Sequence, residues 1–274
     1  IIYSIMLIWK NTSTLDGYDH DLIFSEDRNQ AQIALLGSKS IELDKFPNLK
    51  GIFRAGIGKD NVPEVEAKQR GILVKYPAKD TIEIIYNETA AFTCNLIFRM
   101  FYSDIGTINP WYKIDRNALA SKNLLVIGSG NIGSRVAKNM DPFTNVYTYD
   151  IINNKDSELP GLINNADCIS LHIPKSSDND AFINRDRLAL MKDGAILINT
   201  SRGSIVDENA LYDEINSDRL RAAFDVFWEE PYSGKLKKFH PNKFHMSPHI
   251  ASTCSDFLSG CRQGLDMLIK EISL

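Results

Sequence analysis

The chain has 274 residues, long enough for one large domain or two ordinary ones, and its 43% apolar and 24% charged residues are the balance of an ordinary globular protein. A net charge of −4 with a pI near 5.8 argues against a nucleic-acid partner, and no apolar run approaches the roughly 18 residues that a membrane helix needs. The four cysteines, Cys94, Cys168, Cys254 and Cys261, form neither a CxxC pair nor a His/Cys ligand spacing, so reduced thiols, a cytoplasmic setting and no metal are expected.

Residues 1–9 are apolar but lack the basic flank and cleavage site of a signal peptide, and read as a buried first strand. Further short strands are expected at 33–36, 51–54 and 71–74, with Pro47, Pro63 and Pro77 punctuating the connections. Asp80 followed by Glu83 resembles a helix-capping pair, ahead of a mostly apolar helix at 81–102. From about residue 122, continuous apolar runs at 124–127, 146–149, 168–171, 195–198 and 221–224 alternate with stretches of helical length. That alternation predicts βαβ units and a parallel sheet covered on both faces. A helical pattern at 256–269 closes the chain and returns to the first unit. The expected fold class is therefore α/β, with two Rossmann-like doubly wound domains. A smaller substrate domain is expected at 1–92 with 252–274, and a larger dinucleotide-binding domain at 93–251.

Gly128-x-Gly130-x-x-Gly133 follows the run at 124–127 and opens a helical stretch, with Asn131 and Ile132 between its glycines. A pyrophosphate needs a tight turn, close backbone approach and N–H groups at a helix start, all of which this arrangement offers. The next strand ends in Asp150, where a carboxylate can accept hydrogen bonds from both hydroxyls of an adenosine ribose and would repel a 2′-phosphate. The expected cofactor is NAD.

Residues 198–208, Ile-Asn-Thr-Ser-Arg-Gly-Ser-Ile-Val-Asp-Glu, closely resemble a signature of the D-isomer-specific 2-hydroxyacid dehydrogenases. Residues 54–62 resemble that family's substrate loop, 166–174 its strand beneath the cofactor, and 224–231 and 247–252 its two closing motifs. The resemblance runs from about residue 50 to the end, and ordered motifs are more specific than any one alone.

Reduction of a 2-keto acid requires hydride delivery to the carbonyl carbon, a cation for the carboxylate, and an acid for the nascent alkoxide. Arg202 offers a planar fork of donors, His249 an imidazole that can give or take a proton, and a carboxylate from Glu229 or Glu230 can orient that imidazole. The resemblance assigns these roles to Arg202, Glu230 and His249, and selects Glu230 over Glu229. It implies that Asp225 meets the nicotinamide carboxamide and that Pro174 and Thr200 line the same pocket. Ser201, His249 and Ala251 join the cofactor-binding set, and His172 packs near the cofactor. Gly56, Ile57 and Gly58 offer backbone N–H groups to the substrate carboxylate. Arg54, directly before Ala55-Gly56, resembles the D-3-phosphoglycerate dehydrogenase branch and makes 3-phosphoglycerate the leading expectation. A glyoxylate or hydroxypyruvate reductase is the alternative, with an NAD-sensing corepressor-like protein behind it. The partners implied are a small-molecule acid and a second copy of the chain in a homodimer.

Overall fold

The computed structural model describes residues 6–273, and its chain divides into two compact units. One comprises the residues up to Ile85 with those from Ser252 onward, and the other Tyr86–Ala251. The first division falls inside a helix rather than at the expected 92/93, because a continuous helix carries no breaker to mark where its contacts change.

In the first unit, strands β1 (Leu7–Lys10), β2 (Ile23–Phe24), β3 (Ile33–Leu36), β4 (Gly51–Arg54) and β5 (Leu73–Lys75) form a parallel sheet in the order β2-β1-β3-β4-β5. Residues 1–5 of the expected first strand lie outside the described residues. Strand β5 begins later than expected because Gly71, at φ +71°, still belongs to the turn that ends helix α1 (Glu64–Gln69). Successive side chains on a strand face opposite ways, so a sheet covered on both faces needs apolar residues at every position. Phe53 lies in one cluster with Ile33 and Leu35, and its neighbour Ile52 lies in another with Ala34, Leu36 and Ala67.

Helix α2 (Lys79–Phe101) carries the chain into the second unit, where a small antiparallel hairpin, β6 (Gly106–Thr107) and β7 (Tyr112–Lys113), precedes the larger sheet. Asp80 is not the cap expected of it: the helix has already started at Lys79, so the carboxylate sits in the first turn, where it complements the helix dipole. The larger parallel sheet contains β8 (Asn123–Ile127), β9 (Asn145–Tyr149), β10 (Cys168–Leu171), β11 (Ile196–Asn199), β12 (Arg221–Phe224) and β13 (Phe244–Met246), in the order β13-β12-β11-β10-β8-β9. Helices α3 (Gly133–Met140), α4 (Leu159–Asn165), α5 (Arg185–Ala189) and α6 (Glu208–Asn216) connect them.

One face of this sheet, including Leu125, Ile127, Ile169 and Leu197, packs with Ile163, Leu188 and Leu211 of α4, α5 and α6. The other, including Leu124, Val126, Ile196 and Ile198, packs with Leu96 and Ile97 of α2 and Val136 and Met140 of α3. Each fully buried Leu or Ile contributes about 1.5–3 kcal/mol of transfer free energy, which holds the strands in register beneath the loops at their ends. The strand order reverses between β8 and β10, and in an open parallel sheet the crevice outside the strand C-termini at such a reversal is where ligands bind.

Helix α7 (Ser255–Ile272) belongs to the first unit and buries Phe257, Cys261, Leu265 and Leu268 against its sheet. Gly264 makes that approach possible, since a Cβ there would lie 2.6 Å from the Phe53 ring. Among the described residues no helix is long and apolar enough to cross a membrane, and no group of three or more His, Cys, Asp or Glu could hold a metal ion.

Candidate active site

The glycine loop leaves β8 at the reversal point, and its three glycines have different physical reasons. Gly128 has φ +95° and lies against the next crossover, where a Cβ would stand 2.6 Å from the His172 carbonyl oxygen. Gly133 admits the return of the chain, since a Cβ there would stand 1.9 Å from the Gly128 carbonyl oxygen. At Gly130 a Cβ would meet nothing within 4 Å, so this glycine leaves open space rather than relieving a protein contact. Asn131 and Ile132 complete the turn, and the first N–H groups of α3 point along the helix axis toward the loop.

Asp150 follows β9, and its two carboxylate oxygens accept the Ser129 N–H at 2.8 Å and the Ile152 N–H at 3.0 Å. Each oxygen keeps a second lone pair, so one hydrogen bond per oxygen to a ribose diol is compatible with both contacts. An open Gly130, a helix start and an anchored carboxylate together fit a dinucleotide with an unphosphorylated ribose.

His172, just after β10, shares a 2.8 Å hydrogen bond between its Nε2 and Ser170 Oγ. Enclosure of its ring pushes the imidazole pKa down to about 3, so the ring is neutral at physiological pH. Pro174 accepts the Asn179 side-chain amide at 2.8 Å through its carbonyl oxygen. Thr200 Oγ1 meets Thr93 Oγ1 of α2 at 2.8 Å, and Thr93 donates onward to the Thr89 carbonyl.

The turn carrying Arg202 is built by Asn199, a buried residue at the end of β11 that sequence reasoning did not single out. Its Oδ1 accepts the Ser201 N–H (3.0 Å) and Oγ–H (2.9 Å), and its Nδ2 donates to the Arg202 carbonyl (2.8 Å). A turn-forming amide directly after an apolar strand was the available signal. Gly203 lets the loop press on the segment after β12, where a Cβ would lie 2.1 Å from the Phe227 carbonyl carbon. Arg202 remains partly exposed, with one Nη1 bond to the Ser201 carbonyl at 2.8 Å.

His249 Nδ1 lies 2.8 Å from Glu230 Oε2 and 3.1 Å from Oε1, while Oε1 also accepts the Phe227 N–H at 3.2 Å. An ionised carboxylate only accepts, so Nδ1 carries the proton and Nε2 is the atom left to exchange one. Glu229 takes the Ser233 hydroxyl at 2.9 Å, which leaves Glu230 as the partner of the imidazole. Of the other histidines, His245 is pushed down to about 4, by burial first and then by the charge of Arg99, and its ring lies 5.5 Å from that of His240.

Asp225 has a structural task that residue type alone did not reveal. Its carboxylate is fully buried and receives the Ser247 hydroxyl (2.6 Å) and the N–H groups of Ile250 (3.0 Å) and Ala251 (2.9 Å). It thereby holds the loop that bears His249, whose backbone sits at φ +53°, a conformation unfavourable for a side-chain-bearing residue. Two of these donors go to Oδ1 and one to Oδ2, which keeps a second lone pair, so capping this turn is compatible with the expected contact to the nicotinamide carboxamide.

In the first unit, Arg54 ends β4 and is only 6% exposed. Its Nε donates to the Gly58 carbonyl at 3.2 Å and Asn61 Oδ1 at 3.3 Å, and its Nη1 to the Ala55 carbonyl at 2.6 Å. Gly56, at φ +144°, is required by this fold-back, because a Cβ there would lie 2.4 Å from Arg54 Nη1. Ile57 and Gly58 continue the loop around the guanidinium.

Comparison with known proteins adds to this geometry. Residues 107–251, more than half the chain, match the model for the D-isomer specific 2-hydroxyacid dehydrogenase, NAD binding domain. A hydroxypyruvate reductase of Thermotoga maritima is 33% identical over 81% of this chain and 76% of its own length. A D-3-phosphoglycerate dehydrogenase of Methanocaldococcus jannaschii is 34% identical over 69% of this chain, a match spanning only 39% of that protein. The crystal structure of D-lactate dehydrogenase from Aquifex aeolicus, complexed with NAD and lactic acid, superposes with a TM-score of 0.78 at 25% identity, covering 96% of this chain and 94% of that one. With the dinucleotide cradle and the Glu230–His249 pair beside these matches, the chain belongs to the D-isomer-specific 2-hydroxyacid dehydrogenase family, whose members are NAD-dependent oxidoreductases.

Proposed function

We propose that the chain interconverts a D-2-hydroxy acid and its 2-keto acid at C2, with His249 carrying the proton, Glu230 orienting it and Arg202 holding the substrate carboxylate. The observation that carries this reading is the 2.8 Å contact between His249 Nδ1 and Glu230. NAD, when bound, supplies or accepts the hydride. In reduction the carbonyl oxygen takes the proton from His249 Nε2 as C2 gains the hydride, and in oxidation the same nitrogen receives it. Glu230 stabilises the imidazolium form, and Arg202 polarises the carbonyl while pairing with the carboxylate. The cofactor would lie on Gly128, Gly130, Asn131, Ile132 and Gly133, with Asp150 at its ribose and Pro174, Thr200, Ser201 and Ala251 along its nicotinamide half. In the first unit, the backbone N–H groups of Gly56, Ile57 and Gly58 are donors of the kind that a substrate carboxylate needs.

For the substrate we favour a short unphosphorylated acid of the hydroxypyruvate or glyoxylate kind. Arg54 supports this, because its burial and its bonds to Ala55, Gly58 and Asn61 make it part of its own loop. A second reading, 3-phosphoglycerate, is favoured by the place of Arg54 within the motif at 54–62. NADH oxidation with hydroxypyruvate, glyoxylate, pyruvate and 3-phosphohydroxypyruvate separates the two, and His249→Ala should lower kcat by ~10²–10⁴ on the preferred substrate. Equal activity in parent and variant would overturn the mechanism. Tight NADH binding without turnover of any keto acid would favour a corepressor-like role. We expect a homodimer from the family resemblance, and light scattering checks it.

A further inference from the structure

A cavity lies at the opposite end of the larger sheet from the glycine loop. It is bordered by Lys122, Asp167, Ile196 and Arg221, residues at the N-terminal ends of β8, β10, β11 and β12. The glycine loop, the turn carrying Arg202 and Asp225 lie at the C-terminal ends of the same strands. A strand of four or five residues separates the two ends by roughly 13–17 Å. The cavity, about 340 Å³, falls within the ordinary range of small-molecule sites of roughly 300–1,000 Å³.

Its walls carry more positive than negative charge. Arg221 donates twice through Nη1, to Ser103 Oγ at 2.5 Å and the Met100 carbonyl at 3.3 Å, and no carboxylate among the described residues forms an ion pair with it. Loss of water lowers its pKa, with Asp104 acting in the opposite direction. Nε and Nη2 of this fork have no acceptor among the described residues, although a guanidinium is built to grip an oxyanion with two parallel bonds. Lys122 and Lys192 each stand 3.7 Å from Asp167, so one carboxylate serves two ammonium groups at a distance too long for a hydrogen bond. Asp167 is further engaged by the Asn123 N–H at 2.8 Å, and Lys192 by the Asn165 carbonyl at 2.7 Å. Arg116 on the rim lies over the Tyr102 ring at 4.4 Å, and Asp193, 89% exposed, pairs with Arg219 at 3.7 Å. Phe101 and Ile196 supply an apolar wall, and Gly194 adds backbone without bulk, since a Cβ there would meet nothing within 4 Å.

We propose that this cavity binds a small organic oxyanion, a carboxylate or a phosphate ester, with its charged group on the Arg221 fork between Lys122 and Lys192 and its carbon skeleton against Phe101 and Ile196. Such a ligand would act at a site separate from the cofactor and the reacting acid.

Calorimetric titration with citrate and with inorganic phosphate, each matched for ionic strength with sodium chloride, tests this and distinguishes carboxylate from phosphoryl recognition. Saturable binding of at least one probe is expected, weakened at least ~10-fold in Arg221→Gln and measurably in Lys192→Gln, with NADH affinity unchanged in both. Because Arg221 also contacts Met100 and Ser103, Lys192→Gln and Lys122→Gln serve as variants that keep those bonds. Absence of saturable binding by the parent, or binding indifferent to all three substitutions, would overturn the proposal.

Discussion

Arg54 and Arg202 both stand where a parallel strand delivers its chain to a loop, yet the structure treats them differently. Arg54 is buried, its Nε and Nη1 bonded to acceptors of its own loop. Arg202 stays partly exposed on a turn whose shape is maintained by Asn199. The same residue type at equivalent ends of two sheets is thus buried in one unit and partly exposed in the other. Burial, rather than position along the strand, separates the two.

The comparison can be broken or sharpened by substitution. Arg202→Ala should cost ~10²–10³ in kcat/KM with NADH affinity nearly unchanged, as expected for loss of charge stabilisation in the transition state; loss confined to protein stability would place Arg202 with Arg54. Within the cofactor loop, Gly133→Ala should destabilise the fold by about 2–4 kcal/mol because its Cβ meets the Gly128 carbonyl oxygen. Gly130→Ala should instead weaken NADH binding ~10-fold with little change in denaturation midpoint. If both behave alike, the open space at Gly130 is not reserved for the cofactor. Arg54→Ala should cost about 1–3 kcal/mol in chemical denaturation by stripping bonds from Ala55, Gly58 and Asn61. It should also lower turnover of phosphorylated and unphosphorylated acids alike, whereas a KM effect confined to 3-phosphohydroxypyruvate would restore the phosphoglycerate reading.

The smallest effect at neutral pH concerns His172, whose folded pKa of about 3 lies below the unfolded 6.5. Between those values the unfolded chain binds more protons, so the stability due to the neutral buried ring is complete above pH 6.5 and falls as the pH drops toward 3. Denaturation at pH 5 should show a loss of about 1–2 kcal/mol from this group, absent in His172→Gln. An unchanged acid limb in that variant would show that the ring is not kept neutral by burial.

Much of the architecture was legible because it depends on local pattern. Strands β3, β4, β10 and β12 have the expected bounds, since continuous apolar runs between polar turns suit strands covered on both faces. Asp80 was misread because a capping pair and a first-turn acid look alike in sequence. The choice between Glu229 and Glu230 was open on residue chemistry alone, and the structure separates them by sending Glu229 to Ser233 and Glu230 to His249.

By itself, the sequence determined the alternation of strands and helices, the phosphate-compatible loop at Gly128–Gly133 and the order of the motifs, because periodicity and glycine backbone freedom are properties of short segments. Tertiary structure decided that Asp225 organises the His249 turn, that Glu230 reaches the imidazole, and that Arg54 is buried within its own loop. Those outcomes depend on which hydrogen-bond partner packing brings within about 3 Å of a charged group, and that information is distributed over the whole fold.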